Sequence, residues 1–209
     1  MPIIFSRLKG EKMLTVNANS TSSIAPIPEG TYLAVCGLLV DLGDQFNKTY
    51  NKVYRKVMIG WEIPEESVEV GGESKPRMVY NRYTASLNEG STLRKDLAAW
   101  RGRDFTDEEL MSFDLHNVVG ASCYLNIIHK ENNGRVYANI SSIMALPKKA
   151  EKGKLSEPAL VFDLDTATDE DIEALPKWIG DIVKSSETYK NRTSTTQFQE
   201  LEDDPDLPF

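Results

Sequence analysis

The chain has 209 residues, 40% of them hydrophobic, which suffices for one sizeable folded domain with an appended segment. The formal net charge of −8 is unevenly distributed, because residues 1–154 carry 20 Lys+Arg against 18 Asp+Glu while residues 155–209 carry 4 against 14. The acidic total therefore does not exclude a domain that binds nucleic acid, whereas the longest apolar run, residues 33–40, is too short for a membrane-spanning helix.

The first half of the chain predicts an arm and three strands. Residues 1–30 mix small and polar side chains with two prolines and are expected to form an N-terminal arm with little structure of its own. Residues 31–42, 53–63 and 78–87 are rich in β-branched and apolar side chains and predict strands, joined by a polar loop at 41–52 and an acidic, glycine-rich loop at 65–74. The second and third strands alternate, so each has an apolar face and a face with a tyrosine and a cation: Tyr54 with Lys56, and Tyr80 with Arg82.

Two helices are predicted after the third strand. Residues 91–102 predict the first, with an apolar stripe that includes Trp100. In the second, Thr106 and Glu109 have the spacing of a capping box. Trp61 in the second strand and Trp100 both lie on apolar faces, and we expect them in the core.

Residues 118–146 predict a long β-hairpin that turns at Asn133-Gly134, because this dipeptide suits a type I′ turn. The two-residue turn fixes the register and places Lys130 opposite Tyr137 and Ile128 opposite Asn139. The face expected in the core consists of Cys123, Leu125, Ile127, Ala138, Ile140 and Met144. The opposite face is polar and partly cationic and consists of Tyr124, Asn126, Lys130, Arg135, Tyr137, Asn139 and Ser141.

The last quarter of the chain predicts a short strand, a helix and a polar tail. Residues 159–164 form the strand, and Thr168 caps a helix that Pro176 restarts or kinks. The apolar face of this helix consists of Trp178, Ile179, Ile182 and Val183. We therefore divide the chain into the arm (1–30), a β domain (31–154), a strand-and-helix extension (155–185) and a flexible linker with an acidic tip (186–209).

The acidic tip ends in apolar residues. Five acids lie between residues 200 and 206 with no base among them, and an apolar end on an acidic segment is typical of a docking peptide for a pocket with a basic rim. The tip resembles the C-terminal tip of bacterial and phage single-stranded DNA-binding proteins, in which several Asp residues precede an apolar residue, Pro and Phe. The matching residues are Asp203, Asp204, Asp206, Leu207, Pro208 and Phe209, with Pro205 inserted among the acids.

A second, more general likeness covers residues 80–146. With Leu93-Arg-Lys-Asp-Leu, Trp100-Arg-Gly-Arg and Tyr137-Ala-Asn-Ile, this stretch looks like a widespread type of phage replication-associated protein. Three strands, a helical insert and two strands are the order of an OB-fold, and their closure into a barrel is what the resemblance implies. The expected fold is mainly β: an OB-fold-like five-stranded barrel with a helix between strands three and four, a C-terminal helix and a disordered acidic tail.

The resemblance implies sequence-independent binding of single-stranded DNA, with bases stacked on aromatic rings and cations along the phosphates. In OB-folds the usual surface is the outer face of strands two and three with the first loop and the last hairpin. Mapped onto this sequence, that surface consists of Phe46, Lys48, Tyr50, Lys52, Tyr54, Lys56, Tyr80, Arg82, Lys130, Arg135 and Tyr137. The implied role is protection of single strands in phage DNA replication, recombination or repair, with replication and repair proteins recruited by the tip. A linked hypothesis is that the acidic tail competes with DNA for this surface.

Several of these residues have a second interpretation. A tyrosine on a strand is often a half-buried packing residue. Arg101 and Arg103 either contact phosphate, solvate a helix end or pair with Asp104, and the lysines within residues 148–154 form either a phosphate patch or a solvated linker. The alternative function is an OB-like adaptor of a phage replication or recombination complex, which uses the tip but binds protein instead of DNA.

No enzyme active site is evident in the sequence, and we expect neither a cofactor nor a metal. His116 and His129 lie in different elements, and no nucleophile with a neighbouring base is recognisable. Asp163 and Asp165 have a spacing that nuclease metal sites use, but a solvated strand edge explains them as well.

The two cysteines indicate the compartment. Cys36 and Cys123 each lie in an apolar run without a second cysteine at metal-ligand spacing, which is typical of reduced core residues. With no apolar stretch of signal-peptide length near residue 1, we expect a cytoplasmic protein, in a bacterial host if phage-encoded, without a membrane partner. The sequence leaves a homo-oligomer open.

Overall fold

The computed structural model describes residues 25–192. Its strands are β1 (Gly30–Asn47), β2 (Lys52–Val70), β3 (Glu73–Thr84), β4 (Ser122–Asn132), β5 (Arg135–Met144) and β6 (Leu160–Phe162). Its helices are α1 (Thr92–Arg101), α2 (Asp107–Met111), α3 (Asp169–Ala174) and α4 (Lys177–Lys184), with a 3₁₀ turn at Leu115–Val118. Within this range no helix has both the length and the apolar character that crossing a membrane requires.

The predicted fold class is confirmed, since the protein is mainly β with helices after the third strand and towards the C-terminal side. Five antiparallel strands form a curled half-barrel in the order β3-β2-β1-β4-β5. The two outer strands, β3 and β5, contact each other without forming a ladder within the described residues. The predicted arm up to residue 24 and the acidic tip lie outside the described residues.

The first core fills the inside of the half-barrel. Trp61 from β2 and Trp100 from α1 are both buried there, as predicted, with ring centroids 5.5 Å apart. Leu93 and Leu97 place the rest of the α1 stripe in the same core. The predicted capping box of α2 is present, because the Thr106 side chain accepts from the Glu109 amide and the Glu109 side chain accepts from the Thr106 amide.

The β2–β3 hairpin is longer than the sequence predicts. Instead of a loop at 65–74, both strands continue to a two-residue turn at Gly71 and Gly72, which have φ angles of 63° and 87°. Two adjacent left-handed residues are typical of a type I′ turn. The β2–β3 pairing therefore extends up to the turn, where Val70 pairs with Glu73. Pro64 lacks an amide hydrogen, and a register shift between Ile63 and Ser67 accommodates it.

The β4–β5 hairpin has the predicted turn and register. Asn133 and Gly134 have φ angles of 51° and 73°, and Lys130 pairs with Tyr137. The register shifts between Asn126 and Ile127: Ile127 pairs with Ile140, whereas Asn126 pairs with Ser142. The additional residue on β5 reverses the alternation that follows it, so Ile143 is buried and Met144 is exposed. The predicted inward position of Met144 is therefore wrong.

The second core lies on the outer face of β1 and β2. There β6 runs parallel to β1, and α3 and α4 bury Ile172, Ile179 and Val183 against outward-facing residues such as Met58. The helix predicted from Thr168 consists of two helices separated at Pro176, in agreement with the predicted restart. The structure continues past the predicted start of the linker, because residues 187–192 form a further helical segment, Tyr189 packs against the second core and Arg192 donates to the Ala167 carbonyl.

Candidate nucleic-acid interface

The outer face of β2 and β3 brings together four of the predicted contact residues. Lys56 is paired with Thr84, Met58 with Arg82 and Gly60 with Tyr80, so the outward positions alternate regularly along both strands. Lys56 Nζ donates a hydrogen bond to Thr84 Oγ1 at 2.7 Å and lies 5.7 Å from the centroid of the Tyr54 ring. Tyr54, Lys56, Tyr80 and Arg82 therefore lie on one surface.

The β4–β5 hairpin carries a second group of predicted contact residues. Lys130 lies directly opposite Tyr137, and Arg135 begins β5 opposite Asn132, next to the turn. The side chains of Lys130, Arg135 and Tyr137 are all exposed. This group is separated from the first by β1, which lies between β2 and β4 in the sheet.

The β1–β2 hairpin presents its predicted residues on two different faces. Phe46 is paired with Val53, and both side chains are exposed on the face that continues the barrel interior. Tyr54, the next residue, points to the opposite face. Tyr50 lies in the turn, where the Asn47 side chain accepts hydrogen bonds from the backbone amides of residues 49 and 50. Lys48 and Lys52 are exposed beside it.

The six predicted cations share one electrostatic property. None of them forms a salt bridge with another residue in the described range, and they are Lys48, Lys52, Lys56, Arg82, Lys130 and Arg135. Several arginines elsewhere are paired, for example Arg55 with Asp41 and Arg94 with Asp104. Among residues 25–192, no carboxylate lies within salt-bridge distance of these six cations.

Trp178 belongs to this surface, although the sequence places it on the buried stripe of a helix. The structure corrects that prediction, because Ile179 and Val183 enter the second core while Trp178 stacks on Tyr80 with centroids 4.9 Å apart and planes inclined by 29°. Adjacent residues point about 100° apart on a helix, and the orientation that buries Ile179 and Val183 leaves Trp178 at the edge of the packed face. Helical periodicity alone does not predict which face of α4 is buried, since that depends on how α4 docks on the sheet.

A segment without regular secondary structure, residues 152–157, crosses the outer face of the sheet between the two groups. Gly153 lies so close to β1 that a Cβ there would be 2.5 Å from Val35 Cγ2. Ser156 donates from its amide and its hydroxyl to the Glu62 carboxylate, which is buried in β2. Lys152 and Lys154 flank Gly153, so the segment carries two further cations across the strand that separates the predicted groups.

Arg101 and Arg103 both form salt bridges, but their partner is not Asp104. Both guanidinium groups contact Glu109, whereas Asp104 pairs with Arg94. The hydrogen bonds from Arg103 and from the Thr106 amide lower the pKa of Glu109 to about 2. These arginines hold α2 against the end of α1.

Asp163 and Asp165 follow β6 instead of lying on a strand, and Asp165 is part of an ion-pair network. Carboxylate oxygens of Asp41, Asp163 and Asp165 lie within 4.8 Å of one another. Arg55 enters this group, contacting Asp41 and placing Nη2 2.8 Å from Asp165 Oδ1. Partial burial opposes its charged form, but the hydrogen bonds to Asp41 and Asp165 outweigh that effect and raise the pKa of Arg55. Arg55 therefore supplies a positive charge to this cluster.

The surface as a whole combines unneutralised cations with exposed aromatic rings on the outer side of the half-barrel. Comparison of the sequence with models of known protein families gives no match, and comparison with curated proteins gives none either. The chemistry of these side chains is therefore what indicates a ligand.

Proposed function

We propose that this protein binds single-stranded DNA without reading its sequence, through the outer surface of the half-barrel and the tips of its hairpins. The observation that carries the proposal is that six exposed or half-exposed cations without salt bridges in the described range alternate with exposed aromatic side chains. Tyr50, Tyr80 and Tyr137 are the most exposed of the predicted tyrosines.

Each component matches one part of a single strand. Cations neutralise phosphates and release counterions, and aromatic faces stack on bases that no complementary strand covers. A stacked base contributes about 1–3 kcal/mol, so two or three rings are enough to determine affinity. A duplex keeps its bases stacked inside, and it offers this surface only its phosphates.

The proposed role is protection of exposed single strands during DNA replication, recombination or repair, in a phage or its bacterial host. The acidic tip, residues 203–209, supports this role through its resemblance to the tips of single-stranded DNA-binding proteins. In this role the protein coats DNA and recruits partner proteins through Leu207, Pro208 and Phe209.

Fluorescence anisotropy tests the proposal. A labelled oligo-dT strand and a labelled duplex of equal length are titrated with the full chain over a salt series. We expect tight binding to the single strand that weakens as salt rises, and much weaker binding to the duplex. Absence of binding to either nucleic acid at low salt would contradict the proposal and favour the adaptor function. Equal affinity for both would contradict the selectivity for single strands.

A further inference from the structure

Tyr80 and Trp178 form a stacked aromatic pair that remains accessible to solvent. Their side chains belong to residues that are 47% and 40% exposed. The pairs Trp61–Trp100 and Phe105–Phe113 are different, because their rings are tilted or edge-on and they pack in or against the first core. The Tyr80–Trp178 pair is thus suited to extending its stack with a further planar group.

The helix that carries Trp178 is held by other residues. Ile179 and Val183 are fully buried in the second core, and Gln45 Nε2 donates to the Ile182 carbonyl at 3.1 Å. Lys184 pairs with Glu173 at the end of α3. The indole is therefore positioned by a docked helix, and part of its aromatic surface is left in water.

The surroundings of the pair match a nucleotide. Arg82 lies two residues from Tyr80 on the same face of β3 and has no salt bridge with a described residue. Met78 lies two residues away on the other side and is also exposed. A planar ring pair with a cation at one side supplies a face for a base and a charge for its phosphate.

We propose that Tyr80 and Trp178 together form a base-stacking platform, so that the C-terminal segment from β6 to α4 is part of the interface for single-stranded DNA. The inference rests on the proposed function and adds a contact residue from outside the five-stranded half-barrel. The DNA then passes over the second core as well as along the half-barrel.

The placement of the tryptophans provides a direct measurement. The chain has three tryptophans. Trp61 is 0% exposed and Trp100 is 7% exposed, so of the three tryptophans DNA bound at the surface can stack only on Trp178. We expect oligo-dT to quench the intrinsic fluorescence of the full chain, and we expect the Trp178→Phe variant to bind the strand but to show no quenching.

Affinity is measured independently by anisotropy of labelled oligo-dT. We expect Trp178→Ala to weaken binding about 5- to 150-fold, the range that corresponds to one stacked base, and Trp178→Phe to stay close to the unsubstituted protein because it keeps an aromatic face. Circular dichroism and thermal unfolding check the fold of both variants. If the alanine variant does not fold, the loss of quenching in the phenylalanine variant still tests the contact.

Three results would overturn the inference. Binding of DNA without quenching, together with unchanged affinity of Trp178→Ala, would remove Trp178 from the interface and leave the proposed function intact. A change in molar mass by light scattering in Trp178→Ala, with unchanged affinity, would assign the pair to a subunit contact. No binding of DNA by the full chain would overturn both proposals.

Discussion

Lys130 in β4 lies directly opposite Tyr137 in β5, so one cation and one exposed ring share the outer face of the β4–β5 hairpin. Directly paired residues have Cβ atoms about 5 Å apart, so the two side chains lie side by side. Arg82 and Tyr80 on β3 likewise combine a cation with an exposed ring on one face. Two parts of the surface therefore offer similar contacts, and β2 and β1 lie between them in the sheet.

Replacement of Tyr137 by alanine is expected to weaken binding of oligo-dT about 5- to 150-fold, since it removes one stacking face. Val136 is the matched control, because residues 136 and 137 are both 47% exposed and Val136 points to the opposite face. Val136→Ala is expected to leave the affinity unchanged. Anisotropy titrations of both variants check this, and an equal loss in both would indicate damage to the hairpin instead of a lost contact.

The sequence predicts those elements whose signals are local. The type I′ preference of Asn133-Gly134 fixes the pairing of Lys130 with Tyr137, and the capping box begins α2 at Thr106 because both depend on residues close in sequence. The core positions of Trp61 and Trp100 follow from the period of a strand and of a helix.

The remaining features depend on contacts between distant residues. The outward turn of Met144 results from an additional residue on β5 at Ser141, which alternation alone does not reveal. The exposure of Trp178 depends on where α4 docks, and that is decided by Met58 and its neighbours on β1 and β2. The near-neutral charge balance of residues 1–154 likewise does not show which cations form ion pairs, as Arg55 does with Asp165.

Gly43 is expected to be indispensable for docking the C-terminal segment. It has a φ angle of +71°, and a Cβ there would lie 2.7 Å from Leu164 Cδ2 and 2.8 Å from Ser186 Oγ. Gly43→Ala should therefore destabilise the protein through both backbone strain and overpacking. Gly71 separates the two effects, because it has a similar φ of +63° with no atom within 4 Å.

Urea unfolding measures both variants. Gly71→Ala is expected to cost about 1–2 kcal/mol from the left-handed backbone alone. Gly43→Ala is expected to cost about 1–3 kcal/mol more, because the added methyl group displaces the segment packed on β1. Equal losses in the two variants would show that residues 164 and 186 do not pack on β1 in solution.

The ion pairs of Glu109 predict a specific acid dependence. Its pKa is lowered from 4.5 to about 2 in the folded protein, chiefly by the hydrogen bond from Arg103, so the folded state favours the ionised carboxylate. The resulting stabilisation is fully present above pH 4.5 and is lost as the pH falls towards 2. Glu109→Gln is expected to lower the free energy of unfolding at pH 7 and to lose part of the acid sensitivity between pH 4.5 and 2.

Urea unfolding as a function of pH checks this expectation. The difference between Glu109→Gln and the unsubstituted protein should shrink as the pH falls through this window. Glu108→Gln is the control, since Glu108 is exposed next to Glu109 and forms no salt bridge with a described residue. A pH-independent difference for Glu109→Gln would show that its effect does not come from the ionised pairs.

The acidic tip is expected to act in two ways that one pair of variants separates. A chain ending at Glu200 lacks the last four acids and the apolar end, whereas Phe209→Ala keeps every acidic side chain. If the tail competes with DNA for the cationic surface, the shortened chain binds oligo-dT more tightly at low salt and equally at high salt, while Phe209→Ala binds like the full chain.

Both variants should lose partner proteins that the immobilised full chain retains, because the pocket of a partner requires the apolar end. Unchanged DNA affinity of the shortened chain at low salt would exclude the competition without affecting the docking role, and retention of the same partners by Phe209→Ala would exclude the docking role.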